Sequence, residues 1–418
     1  MITIDLSTLQ PYSPSVLPII TLPFILLYVQ AYLLLKYGKQ TGPRLVRAAL
    51  LPVGLWSIGK AWLGYRIMTP KYNIFNFAFG CAAVFYTVLL FSYSLIPTGP
   101  HRTHRTTPSL DAAHLICSSR LVGWSSGTPL APPPYPDLPT DVAEKKFAID
   151  QLKMAAYHYF WSDATMYAFH GLGYRGIGRP QGGSVAQAVG GWIRMMERWG
   201  WVREGLSGEK ASWERWVLEV GFRWWVGGAM GFAFYQALCL GYHIMAFVGV
   251  KFLGNPSSEW PRLMNQPWRS TSLLEFWGKR WHQIFRQAFT VPTRLVPKKY
   301  RSLVAPFFAF FISAAMHEFG TLTLVGHTSP NWAVAKSFIL MACGMTCEIL
   351  FRRITGKRVQ GPVGWVWTWV YFTTATMGLV DTWLTMGIAG GKPIPTPVSL
   401  SDQLVEPLRK RYLEKLMG

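Results

Sequence analysis

Charge is what this chain has least of. Charged residues make up 15% of its 418 positions, against about 25% in an ordinary soluble domain. Acidic residues are the scarcest, 20 against 41 Lys and Arg, for a formal net charge of +21. The cysteines are few as well, and Cys81, Cys117, Cys239, Cys343 and Cys347 form no CxxC pair. That excludes a disulfide framework and a zinc site of that spacing. Cys343 and Cys347 share a helix face without further ligands nearby, so they read as small packing residues and no metal is expected. No internal repeat is present. No basic residue precedes Lys36, so a cleaved signal peptide is not expected. The expectation is an uncleaved first span with its N-terminus outside the cytosol.

Long apolar runs fill the space left by charge. Candidate spans are Val16–Leu35, the weaker Leu45–Leu63, and Ile74–Leu95. Further along come Trp216–Phe252, Leu303–Val325, Ala333–Phe351 and Trp365–Ile388. Each reaches the length needed to cross the hydrocarbon layer. Trp216–Phe252 reads either as one long tilted span or as a hairpin hinged near Gly227 and Gly228. Basic residues flank these runs, as in Arg352-Arg353, Lys298-Lys299 and Arg102/Arg105. Such placement suits headgroups and orientation signals rather than nucleic acid. The expected fold is therefore all-α: a polytopic integral membrane protein with about seven to eight transmembrane helices plus interfacial amphipathic helices.

One membrane domain over 1–418 is expected, in four parts. Residues 1–100 hold the N-terminal spans, and 101–215 form a Pro-rich, charged extramembrane region with a surface helix over Phe147–Trp161. Residues 216–400 form the catalytic membrane core, and 401–418 a basic amphipathic tail. If region 255–301 and the tail are both cytosolic, the three spans between them have the wrong parity. One of those segments must then be re-entrant, interfacial or lumenal.

Two stretches carry chemistry. The first is Asn265-Gln-Pro-Trp-Arg-Ser-Thr-Ser-Leu-Leu-Glu-Phe-Trp-Gly-Lys-Arg-Trp-His-Gln-Ile-Phe-Arg286. Ser270, Thr271 and Ser272 are N-cap candidates, and Glu275 follows Ser272 at capping-box spacing. The expected helix places Leu273, Trp277, Trp281 and Ile284/Phe285 on one side, and Glu275, Lys279, His282 and Arg286 on another. Its bland reading is an interfacial helix with tryptophans at headgroup depth. The second stretch is Phe310-Phe-Ile-Ser-Ala-Ala-Met-His-Glu-Phe-Gly320, inside a strong span. His317 and Glu318 are ionisable at membrane depth, which is costly and usually functional. Ser313, Ala314, Gly320 and Thr321 share the His317 face and can wall a tunnel or pack a helix. The bland reading of His317 is a hydrogen bond to a neighbouring helix. Transfer of an acyl group to an alcohol needs a base, a polar group on the developing oxyanion, and a hold on the donor. His317, His282 and the Lys279/Arg280/Arg286 group supply those three types, with Trp277 and Trp281 beside the cations. Ser313, Ala314, Glu318 and Thr321 are the expected tunnel lining.

The Phe-Trp-Gly-Lys-Arg-Trp-His run at 276–282 and Met-His-Glu at 316–318 resemble the membrane-bound O-acyltransferases. The likeness is to the wax-synthase-like branch common in fungi, which includes secondary-metabolite O-acetyltransferases. The resemblance is specific over about residues 260–390 and architectural before that. It implies an acyl-CoA:alcohol O-acyltransferase in the endoplasmic reticulum membrane, with His317 and His282 catalytic. No permanently bound cofactor is implied; acetyl-CoA or another acyl-CoA is the cosubstrate. The acceptor implied is a hydrophobic alcohol, most often a terpenoid or meroterpenoid hydroxyl, or a fatty alcohol in a wax-ester synthase. In much of the superfamily an asparagine stands where this chain has His282.

Other patterns are weaker. Gly171–Gly176 matches GxGxxG without a preceding strand, and Gly123–Gly127 matches GxSxG without strand–turn–helix context. His158 and Asp163 have HxxxxD spacing inside an aromatic helix, where structural roles are expected, and no HxxxD occurs. A proton-coupled transporter would also use His317 and Glu318, but it predicts repeated halves. A scaffold without catalysis leaves both residues unexplained.

Overall fold

The computed structural model describes all residues except 104–105, 126, 172–176, 178–181, 209–211, 291–295, 409–410 and 412–418. Most of the GxGxxG match and much of the C-terminal tail therefore lie outside the described residues. Twelve helices labelled here carry the fold: α1 (Leu17–Tyr37), α2 (Thr41–Leu63), α3 (Asn73–Leu95), α4 (Pro108–Cys117), α5 (Thr140–Gly171), α6 (Val185–Arg198), α7 (Trp213–Phe252), α8 (Leu273–Glu275), α9 (Arg286–Thr290), α10 (Lys298–Val325), α11 (Ala333–Thr355) and α12 (Gly361–Thr385). The named strands are two residues each, Gln10–Pro11 and Tyr65–Arg66, paired in parallel.

Five described helices are long and apolar enough to cross a membrane: Pro14–Tyr37, Pro70–Leu95, Trp213–Phe252, Leu303–Val325 and Pro330–Thr355. The all-α, membrane-integral expectation is met. The two other expected spans, 45–63 and 365–388, form the long helices α2 and α12 but are not among those five. Lys60 and Pro52 dilute the first, and a run of Trp and Thr dilutes the second. α7 is one unbroken helix of 40 residues. The hairpin alternative is thereby excluded, since neither Gly227 nor Gly228 interrupts it. At about 1.5 Å per residue it is about 60 Å long, roughly twice the hydrocarbon thickness.

The chain divides into two compact units. The second comprises Thr69–Phe75, Lys145–Gly254 and Thr373–Gly418. There α5 and α7 are joined by polar contacts: His158 Nδ1 donates to Gln236 Oε1 at 2.5 Å, and His243 Nδ1 to Gln151 Oε1 at 2.7 Å. The two imidazoles stack 5.2 Å apart. Asp163 accepts the Ser401 backbone N–H at 2.7 Å. His158 and Asp163 thus hold helices and loops together, and α5 turns Ile149, Leu152, Tyr157 and Phe160 outward.

The first unit comprises Met1–Met68, Asn76–Glu144 and Asn255–Phe372, and it holds both chemical motifs. α1, α2 and the greater part of α3 build a core from Leu27, Leu34, Trp62, Leu89, Leu90 and Tyr93, which Met316 of α10 joins. Trp62 and Tyr86 stack at 5.3 Å with Phe24 edge-on to both, a favoured aromatic geometry. Arg47 of α2 is fully buried and donates to the carbonyls of Tyr93 and Ile96. It thereby closes the end of α3, whose last carbonyls lack intrahelical partners.

α3 and α10 cross at glycines. Gly80 lies against the backbone of Phe319 and Gly320 against Phe77, where an added Cβ would come within 2.8 Å of the Phe77 ring. Thr323 Oγ1 donates across the crossing to the Asn76 carbonyl at 2.7 Å. Small residues let two backbones approach in this way. Gly320 is therefore a helix-contact residue, which settles one of the two readings its small size allowed. Gly320→Val should cost about 1–3 kcal/mol through overpacking. Thermal unfolding in detergent checks this; an unchanged midpoint would contradict the close crossing.

Candidate active site

His317 sits about five turns into α10. Its Nδ1 lies 2.6 Å from the Ser313 carbonyl oxygen, one turn back on the same helix. A carbonyl can only accept, so Nδ1 carries the proton and Nε2 presents the lone pair. The Ser313 hydroxyl lies 3.5 Å from Nδ1. The ring stacks on Phe338 of α11 at 4.3 Å and meets Phe77 of α3 at 6.0 Å. Thr321 is fully buried and returns its hydroxyl to the His317 carbonyl at 2.8 Å. Ala314 is buried beside it on the same helix.

Glu318 does not share that environment. Its carboxylate accepts the Ser329 N–H at 2.8 Å, the Ser329 hydroxyl at 2.5 Å and the Ala335 N–H at 3.0 Å. Between those donors, Asn331 and Trp332 both adopt left-handed backbone, φ 51° and 56°. For a bulky residue such as Trp this is strained, and it persists only where the surroundings over-determine it. Glu318 supplies that determination and starts α11. Glu318, expected in the tunnel lining, has its carboxylate hydrogen-bonded to the α10–α11 turn.

The segment bearing His282 also differs from expectation. Ser272 is the N-cap, with its hydroxyl accepting the Glu275 N–H at 3.0 Å. Glu275 reaches back to the Thr271 N–H at 2.8 Å. The helix then does not run on to Arg286. Residues Phe276–Arg280 wind as a π-turn, closed by Trp281 N–H to the Phe276 carbonyl at 2.8 Å, and Trp281 is extended at ψ 159°. The Gln283 amide caps the freed carbonyls of Trp277 and Trp281 at 2.9 and 3.1 Å. His282 thus lies in a short connection, and α9 begins at Arg286. The shared face expected for Glu275, Lys279, His282 and Arg286 does not form, because the wider turn breaks the 3.6-residue period.

A series of aromatic contacts runs from this segment to the rings around His317. Trp281 stacks on Phe276 at 5.4 Å, and Trp277 packs edge-on to Phe310 of α10 at 5.1 Å. Phe310 lies 6.3 Å from Phe338, the ring that covers His317. Nδ1 of His282 and Nε1 of Trp277 are both buried without a hydrogen-bond partner among the described residues. Burial pushes the His282 imidazole down to about 3, with the nearby His317 and Arg120 adding to the effect. Of the expected cations, Arg280 is bound to Glu275 at 2.7 Å, Arg286 donates to Gln283 at 3.1 Å, and Lys279 is exposed.

Two residues went unnoticed in the sequence. Glu348 of α11 is buried, and its carboxylate accepts the N–H groups of Leu273 and Leu274 and the Trp367 indole N–H, at 2.7, 3.0 and 2.9 Å. The argument used for His317, an ionisable group in an apolar run, would have found it. Arg120 is buried and donates to the carbonyls of Pro261 and Arg262 at 2.8 and 3.0 Å, which ties down the approach to the motif. No group of three or more His, Cys, Asp or Glu suited to a metal occurs among the described residues.

Residues 260–341 match the Membrane bound O-acyl transferase family. The chain is similar to an acetyltransferase of Aspergillus fumigatus, 29% identical over 28% of this chain and 21% of that protein. It is similar to an acetyltransferase of Hericium erinaceus, 24% identical over 39% of this chain and 46% of the other. A probable long-chain-alcohol O-fatty-acyltransferase of Arabidopsis thaliana is 29% identical over 27% of this chain and 35% of its own length. The chain thus spans less than half the length of each of these relatives. No solved structure matches it.

Two outcomes follow. Truncating Glu318→Ala leaves buried donors unpaired and should cost on the order of 3 kcal/mol, whereas Glu318→Gln should cost less; detergent melting curves compare them. For His282, the unfolded chain binds a proton below about 6.5 that the folded chain refuses until about 3. Stability should therefore fall as pH drops from about 6.5 towards 3, and His282→Asn should flatten that slope. An equal slope in the variant would contradict the buried, neutral imidazole.

Proposed function

We propose that this chain, whose residues 260–341 match the Membrane bound O-acyl transferase family, transfers an acyl group from acyl-CoA to the hydroxyl of a hydrophobic alcohol within the membrane. The observation that carries this reading is the His317 Nδ1 bond to the Ser313 carbonyl at 2.6 Å. It leaves Nε2 as the basic nitrogen on a membrane-spanning helix, with the ring packed against Phe338 and Phe77.

In the reaction, Nε2 of His317 takes the proton of the acceptor hydroxyl as its oxygen attacks the thioester carbonyl. A tetrahedral oxyanion forms. Collapse breaks the carbon–sulfur bond, and the departing CoA sulfur takes the proton back from the imidazolium. The products are an ester and CoA, with no acyl-enzyme. His282 and the Trp277 indole N–H are the groups we assign to the thioester carbonyl and the oxyanion. Both have a buried nitrogen without a protein partner, which is the state expected of donors reserved for a substrate.

Acetyl-CoA and a terpenoid or meroterpenoid hydroxyl are the favoured pair, since relatives from two fungi are named acetyltransferases. The plant relatives named long-chain-alcohol O-fatty-acyltransferases support the second reading, wax-ester synthesis. The membrane we assign is the endoplasmic reticulum. In microsomes supplied with a panel of acyl-CoA donors and alcohols, His317→Ala at normal protein level should lower ester formation by about 10²–10⁴-fold. Full turnover by that variant would overturn the assignment, and the donor preference separates acetylation from wax-ester formation. His282→Asn should keep part of the activity, because an amide can still donate to a carbonyl.

A further inference from the structure

A cavity of about 490 Å³ opens beside the outer face of α8. Such a volume falls within the range of small-molecule sites. Its walls carry three cations from three places: Lys279 at the end of the π-turn, Arg352 in the last turn of α11, and Arg358 in the connection to α12. All three are exposed, and none is in an ion pair among the described residues. The cavity's carboxylates offer them little. Glu275 is taken by Arg280 at 2.7 Å and by the Thr271 N–H. Glu348 is taken by two backbone N–H groups and an indole. Three cations thus converge on a concave surface whose two carboxylates are turned to other donors, Glu275 to Arg280 and Glu348 to neutral N–H groups. Neither Arg280 nor Arg286, the cations first expected to hold an anion, lines it.

We propose that this cavity binds a phosphate-bearing group through Lys279, Arg352 and Arg358. Arginine presents a planar fork of donors to phosphate oxygens, and lysine a movable point charge. The Ser272 hydroxyl, already accepting from Glu275 N–H, has its own proton to give. Two sources offer this chemistry. One is the nucleotide end of the acyl donor, a reading that rests on the proposed function. The other is the headgroup of an anionic lipid, whose chains would lie along the exposed Leu350, Ile354 and Val363. In both cases occupancy reaches the reaction centre through the chain, because Lys279 is three residues before His282.

Binding tests this without any need for turnover. The full chain, purified in detergent and in neutral phosphatidylcholine nanodiscs, is titrated with CoA, 3′-dephospho-CoA and pantetheine. A parallel set of nanodiscs contains phosphatidate. The double variant Arg352→Gln/Arg358→Gln should weaken the true ligand by about tenfold or more, the loss of charge-assisted bonds. If CoA weakens and pantetheine does not, the site holds the donor's phosphates. If only the stabilisation by phosphatidate is lost, the site holds lipid. In the wild-type chain, inorganic pyrophosphate should compete with whichever ligand binds, a check that no folding defect can disturb. Unchanged binding of both ligands in a folded double variant, or no competition by pyrophosphate, overturns the proposal. If the wild-type chain binds no CoA while phosphatidate binds and is competed, the cavity stands and the acyl-CoA reading falls.

Discussion

An ionised or polar side chain removed from water must be matched, donor for acceptor, by the protein around it. Much of the first unit is arranged by that requirement. Glu318 is held by Ser329 and Ala335, and in return fixes a strained turn and the start of α11. Glu348 is held by the first N–H groups of α8, and in return fixes where the His282 segment begins. Arg47 does the same with carbonyls at the end of α3, and Arg120 with those of Pro261 and Arg262. Each charged group is therefore also a joint. His282 and Trp277 each keep a buried nitrogen that no described protein group satisfies, and a few other atoms of this unit, such as Arg47 Nε and Ser270 Oγ, are in the same state.

Much of this was legible in the sequence. Long apolar runs bounded by basic residues define helices in lipid with few alternatives, and His317 in such a run announces its own importance. Ser272 and Glu275 mark the start of α8 through cap chemistry that depends on near neighbours alone. The structural roles of His158 and Asp163 followed from the aromatic helix around them.

What the sequence concealed is non-local or aperiodic. A π-turn has no period that a helical projection can reveal, so His282 was drawn on a face that Phe276–Arg280 unwinds. Glu318 looked like a wall of the site because it adjoins His317, yet consecutive helical residues point about 100° apart, and its partners lie eleven and seventeen residues ahead. Spacing suggests Arg280 as an anion ligand, yet it is paired with Glu275, while Arg352 reads from the sequence as ordinary flanking charge. Which cations are committed and which remain available is decided by packing, not by spacing.

The bond from His317 to Ser313 has one more consequence. Its acceptor is a backbone carbonyl, and every residue type has one. The orienting partner of the imidazole is thus supplied by the helix itself and leaves no trace in the identity of position 313. Sequence comparison would not detect it, and exchanging the side chain there would not remove it. Only a change in the path of α10, such as an inserted residue or a proline that shifts the preceding turn, would alter the direction of the ring. The tautomer of His317 is in that sense inherited from secondary structure, and the neighbouring side chains can vary without disturbing it.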